Sequence, residues 1–213
     1  MKKLFFPLAI AALALSSAFT TFGQSTDIKK VEFFGGYSYH STDTGLDEID
    51  SDFDSRVGAH GFETAVTGNL SRYVGIKGDL SWNRKTWNET SGPDHLNANY
   101  RTMQFLGGVQ FKDNSEDAGR VKPFAHVLAG VANQRLAGSV TSGGVTDSGS
   151  FSTNNFAMAF GGGLDIKASK RVDIRVFQFD YNPIFEKDQN TDFGTFEGRT
   201  QNNFRISVGI VIH

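Results

Sequence analysis

The sequence predicts an all-β fold, an eight-stranded antiparallel up-and-down transmembrane β-barrel, preceded by a cleavable signal peptide. Three observations predict it. Period-two alternation of apolar and polar residues recurs in eight segments, and no sustained helical period is present. Long and short connections alternate between those segments. The apolar faces are almost free of charge, while the opposite faces carry both signs in mid-strand.

The N-terminus reads as a targeting segment. Lys2 and Lys3 precede an apolar run, Leu4–Leu15, and small residues suited to cleavage follow. That run is shorter than the ~20 residues a membrane-spanning helix needs. The expected mature chain therefore begins at Gln24, with residues 1–23 as signal peptide and 24–213 as one barrel domain. The chain contains no cysteine, which excludes disulfides, thiolate metal sites and a lipid-anchored cysteine. A net charge of −2 implies no pull towards nucleic acid.

The eight segments follow in order. VEFFGGYSYH (31–40) sets Val31, Phe33, Tyr37 and Tyr39 against Glu32, Ser38 and His40. GFETAVTGN (61–69) sets Phe62, Thr64 and Val66 against Glu63, Ala65 and Thr67. VGIKGDLSW (74–82) sets Val74, Ile76, Leu80 and Trp82 against Lys77, Asp79 and Ser81. The fourth segment (100–112) sets Met103, Phe105, Val109 and Phe111 against Gln104, Gln110 and Lys112. In the fifth (120–133), Phe124 and His126 share a parity, and either face can be the inner one. The sixth (154–167) sets Phe156, Met158, Phe160, Leu164 and Ile166 against Asn155, Ala157, Ala159 and Asp165. The seventh (171–181) alternates up to Val176, after which strict parity turns Gln178 and Asp180 outward. Either a bulge at Val176–Phe177 restores the inward face, or Asp180 already lies at the rim. The last segment, FRISVGIVIH, sets Phe204, Ile206, Val208, Ile210 and Ile212 against Arg205, Ser207 and Gly209. It is expected to pair with the first strand and close the barrel, since closure leaves no open edge.

Long connections are expected near residues 41–60, 84–98, 134–152 and 184–202, and short turns at 70–72, 113–120 and 168–170. All long ones then fall at one end, as in outer-membrane barrels. A lysine or arginine facing lipid at mid-bilayer costs ~2–4 kcal/mol, so the uncharged faces suit lipid. Aromatic residues gather near strand ends: Tyr37, Tyr39, Trp82, Tyr100 and Tyr181 on the long-loop side, and Phe33, Tyr73 and Phe111 on the other. Two such girdles fit the two membrane–water interfaces. The inward charges Glu63, Lys77, Asp79, Asp165, Arg175 and Arg205 then face one another across a narrow lumen. Mixed signs there compensate what unpaired buried ions would cost. They form either a structural plug or a switchable gate.

Taken together, VEFFGGYSYH, GNLSRYVGIKGDLSW, VKPFAHVLAGVA, AFGGGLDIKAS, VDIRVFQFDY and NNFRISVGIVI resemble the OmpA/OmpX-like outer-membrane β-barrel family over residues 30–213. The resemblance implies an eight-stranded monomer, inserted by the outer-membrane assembly machinery through a C-terminal signal that usually ends in an aromatic residue. Here Ile212 and His213 stand in that place. It also implies contact with outer-membrane lipid and lipopolysaccharide, a periplasmic N-terminus and extracellular loops.

The loop 41–56 is acidic, and the spacing of Asp50, Asp52 and Asp54 resembles a calcium loop. An EF-hand needs glycine at its sixth position and glutamate at its twelfth, where this chain has Ser55 and Gly61. A solvated loop and weak divalent-cation binding both remain open. The five histidines (His40, His60, His95, His126 and His213) lie in no nucleophile motif such as G-x-S-x-G, and no cofactor is expected. The Gly/Ser/Thr-rich stretch 138–155 reads as a mobile outer loop. The leading functional expectation is a structural and surface-interaction role, adhesion or recognition through extracellular loops. A narrow gated pore for ions or small solutes is the second reading, and a membrane-embedded lipid-modifying enzyme the third.

Overall fold

The structure, a computed structural model, describes residues 28–43, 56–91, 94–143, 145–187, 189–191, 194–196 and 198–213. The expected signal peptide and the aspartates Asp50, Asp52 and Asp54 lie outside the described residues. The strands are β1 (Val31–Asp43), β2 (Arg56–Asn69), β3 (Val74–Ser91), β4 (Asp94–Lys112), β5 (Val121–Ser142), β6 (Val145–Lys167) and β7 (Val172–Phe185). Among the described residues, short β8 (Gln189–Thr191) and β9 (Gly194–Phe196) pair with each other alone, and β10 (Thr200–Ile212) follows.

Eight strands close a barrel in the order β1-β10-β7-β6-β5-β4-β3-β2. Every pairing is antiparallel, and the seam runs from Phe33↔Ile212 to Ser41↔Phe204. Closure satisfies each strand's backbone on both sides, which a sheet in hydrocarbon requires because no water is present to hydrogen-bond an edge. At the seam Gly36 sits opposite Gly209. A Cβ on Gly36 would collide with the Val208 carbonyl, so this close approach of two backbones admits only glycine.

Burial is inverted relative to a water-soluble protein. Phe105 is 54% exposed and Ile210 51% exposed on the outer wall, whereas Arg205 is fully buried. Soluble monomers rarely expose an apolar surface that encircles the molecule; one facing acyl chains is stabilised by them.

Alternation fails at one place, and the structure resolves it. Ser207 pairs with Gln178 and Gly209 with Arg175, so Val208 faces both Val176 and Phe177. Those two side chains both point outward, and the bulge returns Gln178 and Asp180 to the interior. On β5 the inward residues are Lys122, Phe124, His126, Leu128, Ala132 and Gln134.

The expected loops at 84–98 and 134–152 are corrected. Both are strand: β3 and β4 pair up to Ser91↔Asp94, and β5 and β6 up to Ser142↔Val145. The stretch read as a mobile loop, 138–155, belongs to this second hairpin. Its Ser, Thr and Val residues tolerate extended backbone, and paired hydroxyls such as Thr141–Thr146 bond across it at 2.9 Å. Gly143 takes a positive φ of 58° at its tip.

β2 accompanies β3 only as far as Arg84, and β7 accompanies β6 only from Phe156. Beyond those points β3–β6 continue as a four-stranded sheet rising on the order of 20–30 Å past the barrel rim. At the other end, the Arg72 guanidinium hydrogen-bonds Asp113 between neighbouring short turns and holds its carboxyl down at about 2.

Candidate functional site

An eight-stranded barrel is just wide enough for side chains to fill its interior. Strand parity aims one residue in two inward; the charged and polar ones form a column along the barrel axis, packed beside an apolar cluster of Leu106, Leu128, Ala132, Ala157, Ala159 and Ile184.

Its centre is Arg205 on β10. The guanidinium reaches Asp180 on β7 at 2.7 Å, Asp79 on β3 at 2.8 Å and Glu63 on β2 at 3.4 Å. One planar donor fork thereby joins four strands. Lys77 approaches Glu63 at 3.7 Å and Asp79 at 3.5 Å. Its ammonium also donates to His126 Nδ1 at 3.4 Å, which leaves the ring proton on Nε2, donated to Asp180 at 2.9 Å. Asp180 has room because residue 161 is glycine: a Cβ there would strike the Asp180 carboxylate and the Phe179 carbonyl.

Towards the short turns a second cluster forms. Arg175 holds Asp165 through two parallel bonds of 2.8 and 3.1 Å, and its guanidinium lies between the rings of Phe34 and Phe124, 4.3 and 4.0 Å from their centroids. Lys112 joins Asp165 at 3.2 Å and also donates to Glu32. Gln178 bridges the two clusters, accepting from Arg175 and donating to Glu63 and Asp180. At the base, Lys122 meets Asp173 at 2.6 Å, and His213 meets Asp173 at 2.8 Å and Glu32 at 3.4 Å. Burial disfavours the charged His213 ring, but the Asp173 and Glu32 carboxylates beside it outweigh that and raise its pKa.

Among the described residues, six buried carboxylates (Glu32, Glu63, Asp79, Asp165, Asp173 and Asp180) meet five buried Lys and Arg side chains. His213, when protonated, adds a sixth positive charge beside Asp173 and Glu32. The residue that departs from the expected aromatic terminus is therefore tied into the charge balance of the lumen.

The six charged residues singled out in the sequence fall into the two clusters: Glu63, Lys77, Asp79 and Arg205 in one, Asp165 and Arg175 in the other. That set was incomplete. Asp180 is the acceptor shared by Arg205 and His126, and Glu32, Lys112, Lys122 and Asp173 complete the lower half. The face of Asp180 turns on the bulge upstream of it and that of Lys122 on the open parity of the fifth segment, whereas Glu32, Lys112 and Asp173 carry inward parity in the sequence. Towards the sheet the column becomes neutral, with Asn182 accepting from Gln104 at 2.7 Å and bonding His40 at 2.9 Å. Tyr100 is corrected as well. Its hydroxyl accepts from Thr102 and Gln134, which places it on the lumen side rather than in the outer girdle.

Glu63, Asp180 and Arg205 expose none of their surface to water, and Lys77 and Asp79 expose 1%. A water-filled path running past them would leave them accessible. The column is closed at this level.

Fold and lumen together define the class, a closed eight-stranded antiparallel β-barrel with an apolar outer wall and a packed interior, the fold seen in outer-membrane barrels. Neisserial surface protein A resembles the chain with a TM-score of 0.51 at 10% identity, covering 85% of this chain and 96% of that one. Ail, the attachment invasion locus protein of Yersinia pestis, has a TM-score of 0.48 at 15% identity, covering 86% and 98%. OprG of Pseudomonas aeruginosa has a TM-score of 0.46 at 9% identity, covering 87% and 96%. No family model matches the sequence, and no curated protein matches it.

Proposed function

We propose that this protein is an integral outer-membrane anchor that presents a rigid β-sheet outside the cell and conducts nothing through its barrel. The observation that carries this reading is the fully buried ion cluster around Arg205, which makes the barrel a packed support. Residues 1–23 act as the export signal, the short turns lie in the periplasm, and β3–β6 extend into the medium. The role of the extended sheet is adhesion or recognition. Its outer segments, Lys85–Ser91 on β3 and Val145–Asn155 on β6, pair on one side only among the described residues. Loops and edges carried on a rigid scaffold are where recognition commonly resides. The partners are outer-membrane lipid and an extracellular ligand, with the outer-membrane assembly machinery acting during insertion of a monomer.

Fractionation with heat-modifiable gel mobility tests the reading. Recovery in the outer membrane as a species whose mobility changes on boiling supports it, and a soluble periplasmic protein refutes it. A second reading, a narrow gated pore, is favoured by the run of buried charged and polar side chains inside the barrel, and bilayer conductance separates the two. A third, a lipid-modifying enzyme, would be revived by a changed acyl pattern in a deletion strain.

A further inference from the structure

The short-turn end of the barrel carries a strap. Residues 28–30 lead into β1, yet the Lys29 N–H donates to the Asn114 carbonyl at 3.0 Å, and Ile28 bridges Ser115 in the β4–β5 turn. The Asn69 side-chain amide donates to the Lys29 carbonyl at 2.7 Å. These bonds tie down a segment that would otherwise fray at the start of the first strand.

Beside the strap lies an open hollow of about 790 Å³. The strap lines one side of it, Glu116 and Asp117 of the β4–β5 turn a second, and Lys167, Lys170 and Arg171 around the β6–β7 turn a third. β1 and β5 stand on opposite sides of the closed ring, so these walls surround the mouth of the barrel. The hollow therefore opens along the barrel axis, away from the lipid-facing wall.

Its lining is lopsided in charge. Lys29, Lys30, Lys167, Lys170 and Arg171 share it with two carboxylates, Glu116 and Asp117. Lys167 donates to the Glu116 backbone carbonyl at 3.4 Å, which links the two turns. The Lys29 Nζ is shielded from water and donates to no group. Burial brings its pKa down to about 8, with Lys122 adding to that push and Asp173 opposing it. An anion in the hollow would lower the cost of keeping that ammonium charged. Four of the five cations are lysines, point charges without the planar fork that clasps two phosphate oxygens at once. Set on two separate segments, they suit single carboxylates spaced along a chain. Glu116 and Asp117 repel an anion as dense as a phosphate cluster.

We propose that this hollow docks an acidic peptide segment of a periplasmic protein. The proposal rests on the outer-membrane reading above, which sets the short turns in the periplasm. The sheet outside and the hollow inside then give the anchor one contact on each side of the membrane.

The test uses the full mature protein folded into non-ionic maltoside micelles and a dye-labelled hexaglutamate peptide followed by fluorescence anisotropy. Saturable binding is expected, about tenfold or more weaker in the triple variant Lys30→Gln, Lys170→Gln, Arg171→Gln. A second triple variant, Arg84→Gln, Arg101→Gln, Arg135→Gln, removes the same charge from the other end of the barrel and should bind as the wild type does. Equal loss in both variants overturns the proposal, because attraction to overall charge would then explain the binding. Unchanged affinity in the first variant also overturns it, as does equal binding of hexaglutamine. Displacement of the peptide by phosphatidylglycerol or by inorganic phosphate at the same charge concentration overturns it in favour of a phosphate site. Heat-modifiable mobility of all three proteins in the same micelles confirms that the comparison is between folded barrels. Wild-type protein that enters the outer membrane without binding the peptide removes this site alone; protein that never enters removes the outer-membrane reading.

Discussion

Arg205 on β10 and Asp79 on β3 lie 126 positions apart in the chain and meet at 2.8 Å across the lumen, both shielded from water. Strands on opposite walls are thus joined by one charged contact. Removing the arginine leaves three buried carboxylates facing Lys77 alone. For Arg205→Met, a loss of about 3–5 kcal/mol is expected, the usual result of breaking a buried pair from one side. Urea unfolding in lipid vesicles reads it, and an unchanged midpoint would show that the cluster contributes little.

His213 gives the barrel a pH dependence. Its folded pKa is raised above the unfolded value, so its stabilisation is fully present below about pH 6.5 and fades as pH climbs through the folded value. Unfolding midpoints should therefore drop between mildly acid and mildly alkaline buffer. His213→Gln should flatten that slope and resemble the wild type at alkaline pH. A slope of the same size in the variant would assign it elsewhere.

Glycines divide by what a methyl group would meet. At Gly161 it meets the Asp180 carboxylate and a backbone carbonyl, whereas at Gly78 it meets nothing within 4 Å. Gly161→Ala should cost about 1–3 kcal/mol, typical of overpacking, and reduce the yield of heat-modifiable barrel. Gly78→Ala should fold as the wild type does. Equal yields would mean that Asp180 can move aside.

The bulge on β7 carries its own prediction. Deleting Phe177 leaves Arg175 and Gln178 on the same inward parity, with Val176 facing Val208 in regular pairing. The shortened chain should still fold and keep the Arg205–Asp180 contact, as judged by heat modifiability and urea stability. Failure to fold would show that the bulge does more than set parity.

These residues also show how far the sequence could be read. The walls were legible because the two-residue period of a strand is written locally: Ile76, Leu80 and Trp82 declare their face without reference to another strand. Tyr100 suits a girdle by its aromatic ring, yet it shares its parity with the inward Thr102 and Gln104, and parity decides its side. The hairpins beyond residues 84 and 134 were missed because their serines, threonines and glycines suit loops and exposed strands alike, and pairing decided between them. The partners of Arg205 depend on which strands face one another across the closed barrel. That is set by stagger, which one strand's pattern does not record, and by the β7 bulge, which that strand's pattern offers beside a rim position for Asp180 without deciding between them.

Planar-bilayer conductance of the folded protein tests the central claim most directly. A barrel filled by the Arg205 column should give no steady single-channel openings in the wild type. Steady wild-type openings abolished by Lys77→Met or Arg205→Met would contradict it, and the ion cluster would then be a conduction path.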